Sequence, residues 1–218
     1  MKPLFYALTM ILAAWSIAGA KTVDLPSEKA TLDVPDAWTV VPRQIDTYTN
    51  SPNLVLAAFN PEKDSAVEVL VCNNPAGLTA NNPALTTIIK NGLTNMVANK
   101  GGDTHFGDES SVQINNVPAY RINYSASAPN NKSTIAFTYQ VAANARIYLI
   151  SVQTVDPAKQ ADVEAIASSF RFTDPPVLPT PRVSHHLLKL VLVGAAGLFV
   201  VAAIGGVVYY LRRREVYG

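Results

Sequence analysis

The chain has 218 residues, 17 Lys and Arg against 16 Asp and Glu, and a single cysteine, which excludes an internal disulfide. Both ends are apolar. Between them, residues 21–174 hold 11 basic and 15 acidic side chains, and this net charge of −4 offers no electrostatic footprint for nucleic acid.

Residues 1–20, MKPLFYALTMILAAWSIAGA, have the three parts of a secretory signal. Lys2 is the positive start and Leu4 to Ile17 the apolar stretch, while Ala18 and Ala20 are the small residues of a cleavage site after Ala20. The stretch is short for a span of about 20 residues. No cysteine follows the cut to take a lipid.

The body, residues 21–173, reads as one domain of strands and two helices. ATLDVP (30–35) alternates, and WTVV (38–41) follows a Pro35-Asp36 turn; together they are expected to form a short strand pair. NLVLAAFN (53–60) and SAVEVLVC (65–72) are the next strands. Asn82 and Pro83 form a cap and first helical position. Leu85, Ile88, Ile89, Leu93, Met96 and Val97 then recur on one helical face, and Gly101-Gly102 stops the helix. Strands at 104–114, 117–127, 132–142 and 146–155 follow, joined at Asn115-Asn116, Pro129-Asn130-Asn131 and Asn144-Ala145, which predicts an antiparallel meander. Tyr120, Tyr124 and Tyr148 are expected to share the helix-covered face. Asp156 and Pro157 open a second helix, and SFRF (169–172) closes the domain. The fold class is α+β: one antiparallel sheet flanked by helices, an α/β/α sandwich, followed by a C-terminal transmembrane helix.

Residues 174–186, DPPVLPTPRVSHH, carry four prolines and read as a stiff extended linker. Residues 187–211 are the expected membrane helix, with no charge from Leu190 to Leu211. Lys189 flanks one end, and Tyr209 and Tyr210 suit the interface at the other. Arg212, Arg213 and Arg214 open a basic tail, residues 212–218, that is retained on the cytoplasmic side. The body then lies outside, periplasmic or extracellular. Ala195, Ala202 and Gly206 form a small-residue stripe where helices can pair. A processed C-terminal sorting signal is the alternative for this tail, although LPTPR (178–182) lacks the glycine of the LPxTG pattern.

LDVPDAW (32–38), a central helix, a meander, and a final helix running into ASSFRF (167–172) resemble the PsbP-like domains over about residues 28–173. That family includes extrinsic photosystem II subunits and small exported bacterial proteins. The resemblance implies an α/β/α sandwich and a role in binding or assembly, and it carries over no functional residue. The metal-binding histidines of photosynthetic members have no matched position in this sequence.

The residues themselves point to no reaction. His105 is the body's one histidine, with Asp103, Asp108, Ser110 and Ser111 near it, but no G-x-S-x-G elbow is present. His185 and His186 are adjacent, and neighbours in extended chain point apart. Cys72 is either a buried structural thiol or half of an intermolecular disulfide. No catalytic residue, cofactor or metal site is assigned. The expected partners are the bilayer, through residues 187–211, and an unidentified protein. The function read from the sequence is a membrane-anchored extracytoplasmic binding or assembly module, with an exported enzyme of unrecognised site as the alternative.

Overall fold

The computed structural model describes residues 19–42, 53–99, 101–127 and 133–180. These form an α+β domain of antiparallel strands and two α-helices. β1 (Ala20–Leu25), β2 (Ala30–Pro35), β3 (Thr39–Pro42), β4 (Asn53–Phe59) and β5 (Ser65–Asn73) precede helix α1 (Pro83–Ala98). β6 (Asp103–Ile114), β7 (Val117–Ser127), β8 (Ser133–Ala143) and β9 (Arg146–Thr154) lead to α2 (Gln160–Ser168) and β10 (Arg171–Phe172).

There are two sheets where the sequence predicts one. The small sheet runs β1-β2-β10, and the large sheet runs β3-β4-β5-β9-β8-β7-β6. β2 and β3 are therefore not a strand pair: β2 lies between β1 and β10, and β3 pairs with β4. The Pro35-Asp36 turn, closed by the Trp38 N–H on the Pro35 carbonyl at 2.9 Å, passes the chain from one sheet to the other.

The meander forms because its turns demand it. Asn115 and Asn116 have φ of 46° and 67°, and Asn144 and Ala145 have 53° and 56°. Two-residue hairpins need positive φ at both positions to match strand twist, and Asn tolerates it. α1 begins where Asn82 accepts from the Ala84 and Leu85 N–H groups.

Both faces of the large sheet are covered. Leu85, Ile89 and Leu93 of α1 pack with Leu54, Leu70, Ile122, Ile147 and Leu149 on one face. Val163, Ile166 and Ala167 of α2 pack with Leu32 and Val34 of the small sheet on the other face, against Val67, Val69, Ile150 and Val152. The alternation in β5 and β9 thus serves two cores. Tyr124 lies on the α1 face with Tyr120 packed beside that cluster, but Tyr148 lies on the opposite face, against Phe170 and Phe172. It sits one residue out of phase with Ile147 and Leu149, so period two sends it to the α2 side. Among the described residues no helix is long and apolar enough to cross a membrane.

Candidate functional site

One pole of the domain gathers asparagines from separate turns, and each of four braces a loop. Asn74 donates to the Leu78 carbonyl and accepts from the Leu78 N–H, both at 2.8 Å, which folds the β5–α1 loop. Asn82 caps α1. Asn115 donates to the carbonyls of Ser168 and Phe170 at 3.1 and 2.7 Å, tying the β6–β7 turn to the end of α2. Asn144 accepts from the Val177 N–H at 2.9 Å, and its own N–H donates to the Val177 carbonyl at 2.7 Å. Two ion pairs lie at this pole: Lys29 with Asp174 at 3.2 Å, and Arg146 with Glu28 at 2.6 Å.

A depression of about 600 Å³ opens at this pole, lined by Thr79–Asn81, Ser111–Gln113 and Pro118–Ala119. None of its lining residues is ionisable, so these side chains offer it hydrogen bonds and apolar contact but no acid or base. One wall is the end of β6, which is the edge of the large sheet and pairs only with β7 among the described residues. The pairing shifts between Phe106 and Glu109, a bulge at Gly107-Asp108. There Glu109 takes an ion pair from Lys90 of α1 at 2.5 Å and a hydrogen bond from the Tyr120 hydroxyl at 3.0 Å. The Lys90 hydrogen bond holds the Glu109 carboxyl below its ordinary value despite partial burial. α1 and β6 are thereby pinned together beside the depression.

Beneath the pole lies a buried charge. The Glu28 side chain has no solvent exposure, and Arg146 donates to it. Burial, with the negative charge of Glu28 adding to it, pushes the Tyr148 hydroxyl up to about 12. Across the domain Arg121 lies 4.5 Å over the Phe137 ring and pairs with Glu164 at 2.9 Å.

The residues singled out from the sequence fall as follows. Cys72 is 8% exposed, and burial pushes its thiol up to about 12, so it is protonated and shielded at neutral pH. His105 is exposed on β6 opposite Ser125, while Ser110 lies opposite Arg121. Ala20 is the first residue of β1. Ala18, Lys189, Ala195, Ala202, Gly206, Tyr209, Tyr210, Arg212, Arg213 and Arg214 lie outside the described residues. Sequence reasoning missed the depression, the edge position of β6 and the burial of Glu28. Asn115-Asn116 and Asn144-Ala145 are the signal that marks this pole, since each identifies a turn.

No protein-family profile matches the chain. No curated protein sequence matches it either. Among solved structures, the solution structure of cyanobacterial PsbP (CyanoP) from Synechocystis sp. PCC 6803 aligns over 73% of this chain and 95% of its own, with TM-score 0.57 and 13% identity. A crystal structure from Bacteroides thetaiotaomicron covers 72% of this chain and 49% of its own, with TM-score 0.47 and 9% identity. The domain has a PsbP-like fold.

Proposed function

We propose that this chain is an exported, membrane-anchored binding or assembly module. In this reading residues 21–173 lie outside the cytoplasm, residues 187–211 span the bilayer, and the arginines at 212–214 keep the C-terminus inside. The observation that carries the binding role is the edge formed by β6. Among the described residues the opposite edge, β3, has four residues, the last of them Pro42, which has no N–H to offer. β6 has twelve residues and its outer side is open among the described residues. Soluble domains usually blunt such an edge with charge, proline or a bulge. The bulge and the acidic pair Asp108-Glu109 do this for the first half of β6. Ser110, Ser111, Val112 and Gln113 carry no charge, and they adjoin the depression. An extended partner segment can add there as a strand, with side chains entering the depression. The PsbP-like fold supports the same class of role.

The test is chemical crosslinking in native membranes that hold the full chain, followed by capture and identification of the attached protein. Wild type should capture a defined partner, and the Ser110→Lys/Gln113→Lys variant should lose it. Both substitutions are at exposed positions and should change stability by no more than about 0.5 kcal/mol each. Equal capture by both proteins, or capture of no partner by either, would contradict the reading.

A further inference from the structure

The proline-rich segment after β10 runs across the domain. The Thr173 N–H and hydroxyl both bond the Lys29 carbonyl, at 2.8 and 3.0 Å, and Asp174 pairs with the Lys29 ammonium. Val177 is clipped to Asn144 through two hydrogen bonds although the residue is 72% exposed. The Thr180 carbonyl then passes over Gly77 so closely that a β-carbon there would lie 3.2 Å from it. Gly77 has a φ of +62°, which also favours glycine. Residues 173–180 are thus a strap bonded at Lys29 and at Asn144 and lying close over Gly77, across the amide-rich pole.

We infer that this strap orients the domain, setting the amide-rich pole toward the lipid surface and the charged pole away from it. The inference rests on the proposed membrane span at residues 187–211. Only residues 181–186 separate the end of the strap at Thr180 from that span, and six residues at about 3.1 Å each reach roughly 19 Å. β6 runs from one pole to the other, and its twelve residues at about 3.3 Å each cover roughly 40 Å. The far pole therefore stands roughly 40 Å further from the bilayer than the strapped one. The charge distribution agrees. Glu62, Lys63, Asp64, Asp103, Asp156 and Lys159 lie at the far pole, where Lys159 pairs with Asp64 and Glu62, whereas beside the strap Lys29 pairs with Asp174 and Arg146 with Glu28. A face of amides and paired charges can approach lipid headgroups of either sign without repulsion.

The test uses the full chain reconstituted in phosphatidylcholine vesicles that carry a headgroup-linked acceptor dye. Donor dyes go on single introduced cysteines, Asn81→Cys and Gln113→Cys at the strapped pole, Glu62→Cys and Asp103→Cys at the other. Native Cys72 is buried and should stay unlabelled. Energy transfer should be several-fold greater from the strapped pole. Asn144→Gly keeps the positive φ of the turn and removes the side-chain acceptor, so it should narrow that difference. Equal transfer from both poles in vesicles that carry the protein overturns the orientation alone. A chain that does not float with the vesicles overturns the span and the orientation together.

Discussion

Glu28 closes a 3-10 turn at Pro26–Glu28, and its carboxylate is held by Arg146 from the start of β9. Breaking a buried pair from one side leaves a charge in a poor solvent. Arg146→Ala should therefore destabilise the fold by about 3–5 kcal/mol, measured by chemical denaturation. Asp33 and Arg171 make a more exposed, two-pronged pair, at 2.7 and 3.1 Å. The Arg171 hydrogen bonds hold the Asp33 carboxyl below its ordinary value. A depressed carboxyl contributes stability above its unfolded pKa and loses it as pH falls through the folded value. Stability should thus decline below about pH 4, and Asp33→Asn should flatten that decline by less than about 1 kcal/mol because the pair is partly solvated. Gln140 is fully buried, and neither side-chain amide atom meets a protein hydrogen-bond partner. Gln140→Leu should raise stability by about 1–3 kcal/mol, and a loss instead would reveal a partner for that amide. The burial of Glu28 and Gln140 was not legible beforehand, because the neighbours of a polar residue in the sequence do not say which way its side chain turns.

The elements were more legible than their neighbours. Asn82 and Pro83 announced the start of α1, and Asn82→Ala should cost about 1 kcal/mol by the same measurement. The asparagine turns announced two hairpins because φ is positive there. Alternation, however, looks the same whether a strand has one partner or two. It therefore could not say that β9 inserts between β5 and β8, nor that β6 is left at the edge. β1 went unread because its residues begin at the expected cleavage site and Lys21-Thr22 breaks its alternation. The split into two sheets was hidden for a related reason: the Pro35-Asp36 turn signals a change of direction, and a change of sheet leaves the same residues behind.

At the scale of the molecule, the sandwich buries both faces of the large sheet, so its remaining surfaces are edges and poles. The open end of β6, the depression and the strap all meet at one pole. That convergence puts the proposed partner surface beside the proposed membrane attachment. The prolines of residues 174–186 suggested a free extended linker, and the sequence held no sign that Val177 would be clipped to Asn144, which is distant along the chain. Assembly at a membrane depends on the chain being exported and retained by residues 187–211. The most direct measurement is alkaline extraction of native membranes followed by intact mass of the protein that stays with the lipid. The account predicts that the chain resists extraction with a mass matching residues 21–218. A chain released by the alkaline wash, or one whose mass ends within residues 174–186, would contradict it.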